Sequence, residues 1–218
     1  DNAQVLHLRK VVTNNSGGTA TAADFTLSAN GADSNDLSGT SPVDSGAGLK
    51  ADTFTLSESG PSGYAASSWV CVGGTQNGVN ITLGLGQSAT CTIINDDIQP
   101  KLTVTKVVVN NNGGNAVVAD FPLFVNAGAV VSGVQNGFNA GNYTVSETNL
   151  AGYTAGDWGG DCAADGSITL APGDVKACTI TNDDQPAHVI LNKVVTKDNG
   201  GSAGINDFGL SVGGAEVA

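Results

Sequence analysis

Three observations predict an all-β chain made of β-sandwich modules in tandem, two complete and one partial. The apolar residues come in short runs that alternate at period two, with no convincing stretch at period 3.6. Glycine fills 31 of 218 positions, enough to punctuate many tight turns. The same series of short motifs also recurs along the chain, and such a repeat decides architecture before any single element does.

The elements follow in order. The first strand reads LHLRKVV at 6–12, LTVTKVV at 102–108 and VILNKVV at 189–195. An Asn/Asp-Gly loop comes next: NNSGG at 14–18, NNGG at 111–114 and DNGG at 198–201. Then come ADFTL at 23–27, ADFPL at 119–123 and NDFGL at 206–210, in which Asp24, Asp120 and Asp207 read as turn or strand-edge caps. Further on, FTLSE at 54–58 matches YTVSE at 143–147, each followed by Gly-Tyr (63–64 and 152–153) and then by Trp69 or Trp158, which read as core packing. The closing strands are ATCTIINDD at 89–97 and ACTITNDD at 177–184. The Asn-Gly pairs at 77–78 and 136–137 read as tight turns, because both residues accept positive φ cheaply. Residues 31–50, rich in Ser, Asp and Gly, read as a solvated loop and as the one place to look for a ligand. Proline in IQP (98–100) and QPA (185–187) ends a strand and opens a linker, giving modules 1–98, 99–185 and a partial third at 186–218. Each complete module suits one sandwich of about seven strands.

Charge and composition exclude several functions. Eight Lys+Arg against 20 Asp+Glu give a formal charge of −12, which repels nucleic acid and anionic lipid. No window of about 18 apolar residues is present, so no membrane insertion of this segment is expected. No basic stretch leads into an apolar one at the start, so an exported chain would be represented by its mature part. Cys71, Cys91, Cys162 and Cys178 lack metal-ligand spacing, and His7 and His188 lie far from them in sequence. Two local disulfides, Cys71–Cys91 and Cys162–Cys178, are the reading preferred over buried free thiols, and they point to an oxidising compartment. No metal and no cofactor are expected. Asp96-Asp97 and Asp183-Asp184 offer oxygen ligands to Ca²⁺ but lack an Asp-rich loop of fixed spacing, and they read as solvated linker charge. Asn14, Asn80 and Asn142 head Asn-x-Ser/Thr matches too short to weigh, and no Ser-His-Asp set or phosphate loop is visible.

Alternation assigns side chains to faces, and it puts polar groups where apolar ones belong. Lys10 shares a face with Leu6, Leu8 and Val12, and Lys106 and Lys193 repeat the position. Glu58 lines up with Phe54 and Leu56, and Glu147 with Tyr143 and Val145. Asn95 aligns with Cys91 and Ile93, and Asn182 with Cys178 and Ile180. Burial lowers a lysine pKa and raises a glutamate pKa, so both drift toward neutrality. A neutral amine is a nucleophile, and a carboxyl can shuttle the proton to a departing nitrogen. Held against a carboxamide in a dry core, the amine would form a Lys–Asn isopeptide bond and release ammonia, once per molecule. A buried Lys–Glu ion pair, with Asn as hydrogen-bond partner, and lysines that snorkel outward both remain open.

The first-strand Lys, the Glu of YTVSE before Gly-Tyr and the Asn of TITN resemble the B-type (CnaB-type) repeats of collagen-binding adhesins. They also resemble the SpaA-like, prealbumin-like domains of sortase-assembled pilins, and the resemblance covers 1–185. It implies Ig-like/prealbumin-like sandwiches serving as the stalk of an extracellular, cell-surface fibre, pilus or adhesin, next to neighbouring modules or subunits. It further implies isopeptide bonds Lys10–Asn95 and Lys106–Asn182, assisted by Glu58 and Glu147, and no enzyme activity beyond that single turnover. The alternative is an adhesin domain that binds a glycan or protein; a hydrolase has no residue set in its favour. In the third copy Lys193 lacks both partners, so the expectation is a module finished by continuation of the chain or by another subunit. Val189, Leu191, Lys193 and Phe208 should then be bare or packed on another chain.

Overall fold

The computed structural model describes residues 3–217. In it the strands before the first linker are, in chain order, β1 (Val5–Thr13), β2 (Thr26–Asn30), β3 (Leu37–Thr40), β4 (Val43–Asp44), β5 (Asp52–Ser59), β6 (Tyr64–Ala66), β7 (Val70–Gly73), β8 (Thr75–Asn77), β9 (Asn80–Leu83) and β10 (Ser88–Asp97). They form two sheets. One orders β4-β1-β10-β6, with β7 also on β10, and the other orders β3-β2-β5-β9-β8. Inward residues of both, among them Leu6, Leu8, Leu27, Phe54, Ile81 and Ile93, make one closed core, as expected where period-two strands pack face to face.

The second sandwich repeats the plan with β11 (Lys101–Val109), β12 (Leu123–Val125), β13 (Gly128–Val130), β14 (Gln135–Gly137), β15 (Gly141–Glu147), β16 (Tyr153–Ala155), β17 (Gly159–Gly160), β18 (Ser167–Leu170) and β19 (Val175–Asp184). Its sheets order β14-β11-β19-β16, with β17 on β19, and β13-β12-β15-β18. The core, built around Leu102, Leu123, Val145, Leu170 and Ile180, shares no residue with the first. In both sandwiches the first and last strands are parallel neighbours, with Val12 opposite Asn95 and Val108 opposite Asn182. Parallel neighbours need a long crossover, and here everything between the two strands supplies it.

Two local expectations are corrected. Residues 31–50 are not a solvated loop: they contain β3, which pairs with β2, and β4, which pairs with β1, and Asn35 and Val43 are buried. Their apolar residues are too sparse to read as strands, because both are short edge strands with one face in water. Asn136-Gly137 is not a turn either, since both lie in β14 opposite Leu102 and Lys101. At 77–78 a tight turn does form, but shifted by one residue: Asn77 ends β8 opposite Asn80, and Gly78-Val79 make the turn, with Gly78 at φ +60°.

The sandwiches meet through backbone. Ala140 N–H donates to Ser16 O and Gly173 N–H to Ile98 O, each at 2.7 Å. Gly17 (φ +85°) and Gly63 (φ +81°) lie so close to Ala140 and Pro172 that a Cβ on either would collide with main chain.

The last segment holds the hairpin β20 (Leu210–Val212) and β21 (Ala215–Val217). Residues 189–195, expected as a strand, are not one, because no last strand is present among the described residues to pair with them as β10 pairs with β1. Val189, Leu191 and Phe208 stay 66%, 38% and 40% exposed, and Lys193 is exposed too.

Candidate functional site

β1 and β11 point every second residue inward, and that period carries Lys10 and Lys106 into the cores with side chains fully excluded from water. A short turn before β2, at Ala22–Asp24, and its counterpart at Val118–Asp120 prepare the floor beneath them. The carboxylates of Asp24 and Asp120 accept the N–H of Thr21 (2.7 Å) and Val117 (2.8 Å), the capping role expected. Phe25 and Phe121 follow directly, and each lysine Nζ sits 4.2 or 4.4 Å from the centre of its ring. Such a contact is worth about 2 kcal/mol when desolvated. Tyr64 and Tyr153 abut these rings edge-on, at 5.8 and 5.4 Å between centres.

The opposite sheet brings the acid. Glu58 at the end of β5 places Oε2 2.5 Å from Lys10 Nζ, and Glu147 at the end of β15 does the same to Lys106. The last strand brings the amide. Lys10 Nζ also donates to Oδ1 of Asn95, and both residues are buried. In the second sandwich Asn182 is 0% exposed and neither of its side-chain polar atoms has a hydrogen-bond partner; Oε1 of Glu147 is likewise unpaired. Burial pushes both lysine amines below their ordinary value, against the opposing pull of Glu58 and Glu147. An amine moved toward its neutral form, a carboxyl within hydrogen-bond reach and a buried carboxamide are the requirements for amide exchange.

Around this centre, Cys71–Cys91 ties β7 to β10, and Cys162–Cys178 ties a loop to β19. Trp69 is buried and Trp158 half-buried against the two cores, which is where packing alone would put them. His7 sits on the surface, 2.5 Å from Asp44, which also holds Arg9 at 2.6 Å. Asn14, Asn80 and Asn142 all use their side chains in local hydrogen bonds. Among the described residues no group of His, Cys, Asp or Glu could hold a metal ion.

The paired acids correct the sequence reading. Asp96 and Asp183 are exposed, but Asp97 and Asp184 are buried. Asp97 accepts the N–H groups of Asn15 (2.9 Å), Ser16 (3.0 Å) and Gly18 (2.6 Å). Asp184 takes those of Asn111 (2.7 Å), Asn112 (3.0 Å) and Gly114 (2.6 Å). Burial alone would raise the Asp184 pKa, and the loop amides outweigh it and hold the carboxyl below the usual range. Each last strand is thereby clamped to the loop that follows the first. Two further supports escaped sequence reasoning. Tyr64 and Tyr153 hydroxyls donate to Asn14 (2.7 Å) and Asn110 (2.6 Å) and accept Ala20 and Ala116 N–H at 2.9 Å. Ser41 and Ser132 hydroxyls accept the backbone N–H of the two lysines at 2.9 Å. Only the recurrence of Gly-Tyr pointed toward the first.

Comparison with known proteins fits this geometry. A family model described as a prealbumin-like fold domain matches residues 1–93 and again 97–180. No curated protein sequence matches the chain. Among solved structures it is similar to the Bacillus anthracis TIE protein (16% identity, TM-score 0.46, 83% of this chain). It spans only 34% of that protein's length. It is similar also to a C-terminal fragment of the pilus adhesin SpaC from Lactobacillus rhamnosus GG (14%, TM-score 0.42, 84% of this chain and 99% of that one). The major pilin T-13 of Streptococcus pyogenes gives 13%, TM-score 0.36, and 85% and 98% coverage. With the family model matched over most of its length, the chain belongs to the prealbumin-like fold domain family.

Proposed function

We propose that this chain is a load-bearing spacer of an extracellular fibre, made of modules 1–98, 99–185 and the start of a third at 186–218. In this reading each complete module is closed by a self-formed Lys–Asn bond and a disulfide. The observation that carries it is Lys10 held against both Glu58 and Asn95 between the first and last strands, with Lys106 on Glu147 and a buried Asn182 at the same strand positions of the second core. Lys10 Nζ attacks Cγ of Asn95, Glu58 takes a proton from the amine and returns it to the side-chain nitrogen, and ammonia leaves as the amide forms. Lys106, Glu147 and Asn182 repeat the step. The unpaired carboxamide of Asn182 favours this over a static ion pair, because an ion pair with Asn as its hydrogen-bond partner would leave that amide bonded to Lys106 or Glu147. The disulfides suit an oxidising, cell-surface setting. The chemistry is spent on the molecule itself, so the protein is not an enzyme with an external substrate.

Intact mass is the test. The chain should be lighter than its sequence by two molecules of ammonia, beyond four hydrogens for the two disulfides. The full unreacted mass would return Lys10 and Lys106 to the ion-pair reading. The rival function, an adhesin domain, predicts saturable binding on a glycan or matrix-protein array, where a spacer binds nothing.

A further inference from the structure

The contact between the two sandwiches has a vacant counterpart. On the first sandwich it is made by the loop carrying Ser16 and Gly17, by Gly63, and by the carbonyl of Ile98. The second sandwich builds the same surface from Asn112 and Gly113, from Gly152, and from Gln185. Its frame is the same in detail, since Gln185 N–H donates to Gly152 O at 2.8 Å just as Ile98 N–H donates to Gly63 O at 2.9 Å. Asp184 holds its loop as Asp97 holds the first. The glycines also keep their backbone, with Gly113 at φ +95° and Gly152 at φ +85°. What differs is occupancy. Gly17 and Gly63 are pressed against Ala140 and Pro172, whereas a Cβ on Gly113 or Gly152 would meet nothing within 4 Å. Ser16 is buried and Asn112 is exposed.

We infer that this face is a docking surface for one occupant, the module that begins in residues 186–217. That module would seat on it through the two loops corresponding to Asn139-Ala140 and Pro172-Gly173. The spacing supports that occupant. Asp97 and Lys106 are nine positions apart, and so are Asp184 and Lys193 (106 − 97 and 193 − 184), so the linker delivers the next first strand in the same register. Lys193 already lies 4.0 Å from the centre of the Phe208 ring, the arrangement its counterparts have in the finished cores. The contact is backbone to backbone over glycines, with Asp97 and Asp184 holding the loops, so most other side chains at it are free to differ along a fibre. A stalk so joined is stiff at each linker.

The inference rests on reading 186–217 as the start of a third module, and its test is separate from the mass test of the bonds. Val217 corresponds to Val130, so a chain of residues 1–217 followed by a second copy of 131–185 supplies the missing strands with both loops. Hydrogen–deuterium exchange should show the added copies of Ala140 and Gly173 amides as slow as the natural pair. Small-angle scattering should fit one rigid rod. Gly152→Asn keeps the positive φ accessible but adds a side chain, and should speed those added amides at least tenfold and loosen only the second junction. In the natural chain Gly63→Asn should do the same to the first junction. Added strands that stay unprotected, added loop amides that exchange freely, or a Gly63→Asn chain as stiff as its parent would each overturn the inference. So would head-to-tail association of the natural chain in which Leu85 and Gly86 of a second copy, which stand before Cys91 as Pro172 and Gly173 stand before Cys178, cover Gly152.

Discussion

A lysine amine sealed from water beside both a carboxylate and a carboxamide has two stable outcomes, an ion pair or an amide bond, and they titrate differently. The folded-state pKa of Lys106 is lowered by burial from the ordinary 10.5, so over the interval between the two values the unfolded chain holds more protons than the folded one. An unbonded second module therefore gains stability as pH rises through the lowered value toward about 10.5. A bonded one has no amine left to titrate. Asn182→Ala, which leaves Lys106 and Glu147 paired but removes the electrophile, should show that alkaline gain in chemical denaturation series, and the parent should show none. Glu147→Ala goes further by removing the proton carrier and leaving a buried lysine alone. Its mass should rise relative to the parent by one ammonia, beyond the mass change of the substitution itself, and its second module should lose about 3–5 kcal/mol at neutral pH. A Glu147→Ala chain that still lacks both ammonia molecules would remove Glu147 from the chemistry. These residues were legible in the sequence because a period-two strand leaves no doubt about which face a side chain takes. Asp97 and Asp184 were not. They share the inward face with Asn95 and Asn182, but their partners are backbone amides, which every residue carries, so no partner in the sequence gives the clamp away.

Among the elements, the first and last strands decide how tension passes through a module. They are parallel neighbours, and the proposed Lys10–Asn95 bond would join them near their shared end, with Val12 opposite Asn95. Load entering at β1 then leaves through β10 without crossing residues 11–94. Cys71 and Cys91 both lie inside that bypassed stretch, as Cys162 and Cys178 lie between Lys106 and Asn182. With the proposed isopeptide bonds formed, the disulfides would be mechanically silent, and their contribution would be thermodynamic, about 3 kcal/mol each by loop closure. Single-molecule stretching of the parent should show no module extension, reduced or not. With Asn95→Ala the first module should open under load, and reduction should lengthen that opening by about 70 Å, the reach of the 20-position separation of its cysteines. Equal extension with and without reductant would place the disulfide outside the load path. The strands themselves were read correctly where they carry Val, Ile, Leu and Thr at period two. They were missed where they are short edges such as β3, β4 and β14, because an edge strand with one wetted face has too few apolar residues to announce itself.

At the scale of the molecule, two closed cores with no residue in common are followed by a segment that closes nothing. The repeat pointed to separate cores, which the two clusters are. The way the sandwiches dock was hidden, since it is a matter of carbonyls and amides meeting over glycines. Residues 185–197 carry no strand, and the lysines there, Lys193 and Lys197, are exposed. The basic residues upstream are better protected. Lys10 and Lys106 are buried, Arg9, Lys101 and Lys176 are half-buried within strands, and Lys50 has its backbone N–H and C=O both bonded to Asn35. Protease susceptibility follows the local cost of opening, which is small where no ladder bonds need to break. Limited trypsin digestion should thus cut first after Lys193 and Lys197. The fragment ending at Lys193 should keep the parent's melting temperature, because neither core draws on the segment removed. Cleavage at Lys50 or Lys101 before Lys193, or a melting temperature that falls on trimming, would mean that residues 186–217 already stabilise the second sandwich. In the chain extended with a second copy of 131–185 the order should reverse, with Lys193 becoming as resistant as Lys106 once its strand has a parallel neighbour.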